Sequence, residues 1–94
     1  MEENEVEKKY KDYLLGQFKN RYEEKTLDNQ QAFIYKDFAF GLIYFPDSNA
    51  FCLEYADDIH QAEQGIYPED GDWFYPDEMS EEEMLQAMVK EIEQ

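Results

Sequence analysis

The residues that most suggest catalysis or metal binding surround the single histidine. His60 follows Asp57 by three residues and precedes Glu63 by three, so on a helix the imidazole would share a face with each carboxylate in turn. Carboxylates beside an imidazole can support general base chemistry or hold a divalent metal. A catalytic zinc needs three protein ligands in fixed geometry, and a second histidine or a cysteine pair is lacking. We therefore predict a surface histidine, no metal and no cofactor.

The acidic stretch EDGDWFYPDE, residues 69–78, could bind calcium through its carboxylates. A helix-loop-helix calcium loop needs oxygen ligands at alternating positions, then a glycine and a closing glutamate, and this stretch lacks that spacing. No nucleophile elbow, P-loop or dinucleotide-binding motif occurs, and Ser48 and Ser80 occupy turn and helix-cap positions. The sequence predicts no catalytic residue and a protein that is not an enzyme.

Charge is distributed very unevenly along the chain. Residues 1–25 hold seven acidic and six basic residues, a net charge of −1, whereas residues 26–94 hold seventeen acidic and two basic residues, a net charge of −15. Between Lys36 and Lys90 there are fourteen Asp or Glu and no Lys or Arg. Such an excess repels nucleic acid and anionic membranes and favours a basic partner.

Aromatic side chains interrupt the acidic tract and suggest a protein interface. Trp and Tyr are enriched at interface centres, where flanking charges form a rim. The alternative is that the aromatics Tyr67, Trp73, Phe74 and Tyr75 close the open end of a small core. The residues that we predict to bind a partner are Asp57, Asp58, Glu63, Glu69, Asp70, Asp72, Trp73, Tyr75, Asp77 and Glu78.

The elements that must position these residues begin with an N-terminal helix. Asn4 and Glu7 have capping-box spacing, and apolar residues then recur every three or four positions. We predict a helix from about Glu5 to Glu24. Its apolar stripe comprises Val6, Tyr10, Tyr13, Leu14, Phe18 and Tyr22.

The middle of the chain changes to runs of Phe, Tyr, Ile and Leu that are typical of strands. PDSN, residues 46–49, predicts the turn of an antiparallel hairpin. Lys36 and Asp37 form either a turn or a bulge within one long strand, and Gly41 fits a bulge or close packing against the N-terminal helix. The predicted strands are residues 32–35, 38–45 and 50–55.

The last third combines a loop with two helices. ADDIHQAEQG, residues 56–65, predicts a short helix, and residues 66–76 a loop with a turn at Asp70 and Gly71. DWFY, residues 72–75, could pair as a fourth strand.

The final helix has the clearest local signal in the chain. Ser80 is the predicted N-cap, Glu83 completes a capping box, and Met79 and Met84 are spaced as a hydrophobic staple. We predict a helix from about Glu81 to Glu93.

Together these elements predict a single α+β domain over residues 1–94. It has a three- or four-stranded antiparallel sheet with the N-terminal and C-terminal helices packed on one face. No apolar run approaches the roughly 20 residues of a membrane span, and the acidic N-terminus is unlike a signal peptide. The single cysteine, Cys52, lies in an apolar run and is predicted to be a small buried hydrophobic residue. A protein without cysteine pairs is compatible with a reducing compartment, so we predict a cytoplasmic protein that binds no membrane.

In size and charge the chain resembles small acidic phage inhibitors that mimic DNA and small acidic immunity proteins that neutralise toxins. The resemblance carries over no motif and no residue. Our leading hypothesis is an acidic inhibitor that occupies a basic site on a nucleic-acid-binding protein, a nuclease or a toxin, and binds no nucleic acid itself. The alternatives are an immunity-like protein anchored by Trp73, a structural or regulatory subunit kept soluble by its acidity, and last a metal-dependent enzyme built on Asp57, Asp58 and His60.

Overall fold

The computed structural model describes residues 4–94, which contain three helices and five strands. The strands form one antiparallel sheet in which each pairs with the next in the chain, in the order β1-β2-β3-β4-β5. The α+β class is confirmed, and the expected three or four strands are one or two too few. The elements are α1 (Glu5–Arg21), β1 (Glu23–Leu27), β2 (Gln30–Tyr35), β3 (Phe38–Phe45), β4 (Ala50–Ala56), α2 (Ile59–Glu63), β5 (Glu69–Phe74) and α3 (Glu81–Ile92).

Helix α1 begins where the sequence predicts and ends at Arg21, three residues before Glu24. The Asn4 side chain accepts a hydrogen bond of 2.6 Å from the Glu7 N–H, which satisfies one free donor of the first turn. Tyr22 leaves the helix with extended backbone, at φ −132° and ψ 158°, yet its ring stays in the core. The apolar stripe therefore continues past the helix, which explains the overestimate.

The sequence analysis missed β1, an edge strand of mostly exposed residues. Asp28 and Asn29, at φ 54° and 61°, turn β1 into β2 in a two-residue hairpin. Asn and Asp tolerate this left-handed conformation better than most residues. The turn residues were a usable signal, whereas the strand itself has no apolar alternation.

The other hairpins agree with the predicted turns. Lys36, at φ 53°, begins a two-residue turn between β2 and β3, so the segment is a turn and not a bulge. In the PDSN turn the Ser48 N–H donates to the Phe45 carbonyl at 3.2 Å. Gly41 pairs with Glu54 in regular register, so no bulge occurs there.

Strand β5 begins earlier than predicted, and the predicted turn at Asp70 and Gly71 is wrong. Glu69 and Asp70 pair with Tyr55 and Glu54 of β4 instead. An irregularity then shifts the register before Trp73 pairs with Cys52.

One face of the sheet, here called the inner face, is covered by α1 and α3. Phe18 of α1 packs edge-on against Phe33 and Phe40, with ring centroids 5.5 and 5.7 Å apart. Met84 and Met88 of α3 join the same core and are fully buried. The remaining buried residues of this core are Tyr10, Leu14, Tyr22, Phe51, Leu53, Phe74, Leu85 and Ile92.

Hydroxyl groups tie the two long helices together. The Tyr10 hydroxyl donates to the Met79 carbonyl at 2.7 Å, just before α3, and the Tyr22 hydroxyl donates to Glu93 at 2.7 Å, just after it. Ser80 and Glu83 form the predicted capping box at the start of α3. The start of α3 is therefore fixed both locally and by α1.

The opposite face, here called the outer face, is covered only in part. The predicted short helix is confirmed as α2, whose Ala62 packs on Ala39 and Ala56. Small residues let the helix approach the sheet closely. Beyond this cluster Trp73 is 44% exposed.

Candidate functional site

An acidic cleft of about 620 Å³ lies at one end of the sheet beside α3. Tyr55, Gly71 and Gln94 are among its lining residues, and no Lys, Arg or His lines it within the described residues 4–94. Its acidic lining residues, called the cleft carboxylates below, are Asp37, Asp57, Glu69, Asp70, Asp72 and Glu91.

Strand pairing explains why these carboxylates meet. The start of β3 lies beside the end of β4 because Ala39 pairs with Ala56, and the end of β4 lies beside the start of β5 because Tyr55 pairs with Glu69. Asp37 just before β3 and Asp57 just after β4 therefore share an edge with β5. Residues far apart in the sequence thus contribute to one negatively charged surface.

Asp57 and Glu69 form a contact between like charges. Their carboxyl groups are within hydrogen-bonding reach, and the pKa of Glu69 is raised, first by that hydrogen bond and then by the charge of Asp57. Two carboxylates in contact cannot both be charged without repulsion. A proton or a cationic group brought to this place would relieve it.

Glu91 has a structural role that the sequence did not reveal. Its carboxylate accepts hydrogen bonds from the Tyr55 hydroxyl and, at 2.8 Å, from the Asp72 N–H. A side chain at Gly71 would collide with it, so the glycine makes room. Burial, followed by the hydrogen bond to Glu91, raises the pKa of Tyr55, which keeps the phenol protonated as the donor. Glu91 therefore fastens α3 to β5.

The structure separates the remaining predicted acids from the cleft. Asp58 is the N-cap of α2 and accepts from the Gln61 N–H at 3.0 Å. Glu63 lies 3.3 Å from His60 Nδ1 at the exposed surface of α2. Asp77 and Glu78 lie in the turn between β5 and α3. The predicted partner residues thus form a cleft group, a group on α2 and a group before α3.

The aromatic residues of the acidic tract also have different environments. Phe74 belongs to the inner core, whereas Tyr67 is half-buried beneath α2 and Tyr75 is half-buried after β5. Trp73 is exposed and stacks on Phe45, with ring centroids 4.8 Å apart and planes at 11°. The alternative interpretation, that these aromatic residues close the open end of the core, therefore holds for Phe74 and not for Trp73.

His60 and Cys52 are the remaining groups that could bind a metal or react. In the described part of the chain, no three His, Cys, Asp or Glu side chains are placed to hold a metal ion. Cys52 is buried, and its thiol points to the carbonyls of Leu53 and Gly71 at 3.4 and 3.6 Å. Burial, with Asp70 second, raises the pKa of this thiol to about 11, so it is protonated at neutral pH.

Asp37 and Glu91 line the cleft and were not among the predicted residues. Asp37 follows a turn residue, which was a weak indication in the sequence of its position at the sheet edge. The sequence contained no indication for Glu91, because its position over Gly71 depends on how α3 packs against β5.

No protein-family model matches the sequence, no curated protein matches it, and no solved structure matches the fold. The fold and the cleft by themselves describe a small acidic α+β protein whose sheet is an antiparallel meander. Among residues 4–94 no helix is long and apolar enough to cross a membrane.

Proposed function

We propose that this protein is a non-enzymatic inhibitor whose acidic cleft and neighbouring acids occupy a basic, nucleic-acid-binding site on a partner protein. The observation that carries the proposal is the group of cleft carboxylates with no basic residue among the lining side chains of the described chain. We place the protein in the cytoplasm, where a lone buried thiol remains reduced.

The electrostatics of the cleft favour a cationic partner. Acids that are not paired within the protein repel one another, and the Asp57–Glu69 contact is the clearest instance. Lys and Arg side chains of a partner would replace that repulsion by charge-assisted hydrogen bonds. The net charge of −16 would also attract a basic protein from a distance and accelerate association at low salt.

A site that binds nucleic acid is the natural target of such a surface. Duplex DNA presents one negative charge per roughly 1.7 Å of its axis, and its binding proteins match that density with Lys and Arg. The cleft combines carboxylates from the residue before β3, the residue after β4, β5 and α3 at one edge of the fold. Competition with DNA or RNA for the same partner is the expected consequence.

A second explanation for part of the charge is protection of an edge strand. β5 is at the edge of the sheet, and acids on an edge strand discourage pairing with another chain. Edge protection predicts that neutral variants self-associate and still bind the partner. Charge mimicry predicts that they lose the partner.

A matched pair of neutral variants separates these explanations. The cleft variant carries Asp57→Asn, Glu69→Gln, Asp70→Asn and Asp72→Asn. The control variant removes the same charge from exposed acids outside the cleft and outside the edge strands, by Glu5→Gln, Asp28→Asn, Asp47→Asn and Glu82→Gln. Both have the same net charge, so only the position of the charges differs.

The test is affinity capture of a partner at low salt, followed by binding measurements from about 50 mM to about 200 mM salt with duplex DNA as competitor. We expect the control variant to retain binding, the cleft variant to lose it, and salt and DNA both to weaken the complex. An acidic partner, or binding indifferent to salt and to the cleft variant, would refute the proposal. Far-ultraviolet dichroism checks that both variants are folded.

A further inference from the structure

The uncovered part of the outer face carries an aromatic stack. Trp73 of β5 and Phe45 of β3 point to this face, and Phe45 covers one side of the indole with nearly parallel planes. The rest of the indole is open to solvent, as its 44% exposure shows. Because one face of the indole packs against Phe45 and the other is exposed to solvent, a planar group can stack on the exposed face.

Carboxylates lie close to this stack on the same face. Trp73 pairs with Cys52, and Glu54 lies two residues along β4, roughly 7 Å away on the same side of the sheet. Asp70 pairs with Glu54. A cavity beside Glu54 is also lined by Lys11 of α1, which forms an ion pair with Glu7 at 2.7 Å. Burial, with Asp70 second, raises the pKa of Glu54, so a nearby cation would stabilise its charged form.

We propose that Trp73 receives an arginine side chain of the basic partner, with its guanidinium stacked on the indole and its charge facing Glu54 and Asp70. This inference rests on the proposed function and names the side chain that the partner contributes. Arginine suits the place better than lysine, because its planar group stacks on an aromatic face and still donates hydrogen bonds at its edge. A second copy of this chain would bring a like charge of −16 to the same face, which opposes self-association.

The probes are hexaarginine and hexalysine, which have equal formal charge. Their binding can be followed by the emission of Trp73, the single tryptophan, and by calorimetry where the tryptophan is replaced. Cation–π stacking at an exposed site corresponds to about a two- to fivefold gain in affinity. Arginine also binds carboxylates better than lysine does, so the informative quantity is the part of the arginine preference that depends on Trp73.

Three variants measure how much of the arginine preference depends on Trp73. Trp73→Leu removes the ring, Trp73→Phe keeps a weaker one, and Tyr13→Leu is a control on α1, on the other side of the sheet. We expect the arginine preference to fall about two- to fivefold in Trp73→Leu and less in Trp73→Phe, and to persist in Tyr13→Leu. Hexalysine should bind all four proteins alike.

Two outcomes would overturn the inference, and they differ in what else they refute. An unchanged arginine preference in both Trp73 variants would refute the stacking role and leave the proposed function intact. If neither peptide binds the unsubstituted protein at low salt, the proposed function is refuted, and the inference with it. If Trp73→Leu does not fold, the comparison with Trp73→Phe gives the same decision.

Discussion

The two faces of the sheet differ in what covers them and in what they expose. The inner face packs against α1 and α3, and its rings at Phe33 and Phe40 are fully buried. The outer face is covered by α2 at one end, and elsewhere it presents Trp73 and the partly buried Glu54. The comparison indicates that large rings pack the inner face, whereas the outer face buries small residues such as Ala50 and Cys52 and leaves Trp73 exposed.

The largest expected contrast is between aromatic residues of the two faces. Phe40→Ala should cost about 3–5 kcal/mol, because it leaves a cavity among Phe18, Phe33 and Tyr22. Phe45→Ala should cost about 1 kcal/mol, the value of one partly exposed aromatic pair. Urea denaturation followed by dichroism measures both. Equal losses would mean that the outer face is packed as tightly as the inner one.

The next effect concerns the helix that closes the inner face. Ser80→Ala removes the side chain that accepts from the Glu83 N–H at 3.2 Å and should cost about 1 kcal/mol. Ser48→Ala is the control, because the backbone of that turn serine makes the hydrogen bond, and it should change stability by less than about 0.5 kcal/mol. A loss below that limit for Ser80→Ala would show that packing alone holds the start of α3.

A smaller effect should appear as a pH dependence of the outer face. The pKa of Glu54 is raised above its ordinary value of 4.5, so the folded protein binds its proton more readily than the unfolded chain does. The unfavourable contribution of Glu54 is complete above its folded pKa and vanishes below its unfolded pKa. Stability should therefore increase as the pH falls from neutral through the folded pKa of Glu54 toward the ordinary value of 4.5, and Glu54→Gln should reduce that increase.

The size of this pH effect is below about 1 kcal/mol, because Glu54 is partly exposed to solvent. Urea midpoints over the pH range measure it, with Glu5→Gln on α1 as the control. A pH slope that is identical in Glu54→Gln and in the unsubstituted protein would mean that Glu54 titrates alike in both states.

The smallest expected effect is that of metal ions at His60. The imidazole has Glu63 at 3.3 Å, and the residues described here do not supply a third ligand. Titration with zinc or manganese, followed by calorimetry, should give no stoichiometric binding tighter than micromolar. Tight binding that disappears in His60→Ala would restore the metal-dependent enzyme as an alternative.

Sequence reasoning succeeded where the determinants are local. Ser80 and Glu83 are three residues apart, and the PDSN turn is self-contained, so both could be predicted. The exposed strand β1 lacked the alternation that identifies a strand, and the first half of β5 was predicted to be a turn because Asp70 and Gly71 are typical turn residues. Pairing with Tyr55 and Glu54 overrides that local preference.

The candidate site could be predicted only in part, for a related reason. The acids of β5 were identified by their density in the sequence, and Asp57 by its place in the same tract. Asp37 and Glu91 join them through strand order and helix packing, which are long-range properties. The number and position of charged residues can be read from the sequence, but which of them line one cleft depends on the fold.

The meander topology has a consequence for how the chain folds. Every strand pairs with its sequence neighbour, and the first four strands are joined by short turns, whereas Tyr10 and Met79 must meet across 69 residues to join α1 to α3. Local contacts form fast and distant ones add loop-closure entropy. We expect the hairpins to dominate the transition state and α3 to dock after it. Ser80→Ala should then accelerate unfolding while the folding rate stays nearly constant, which stopped-flow kinetics in urea would measure.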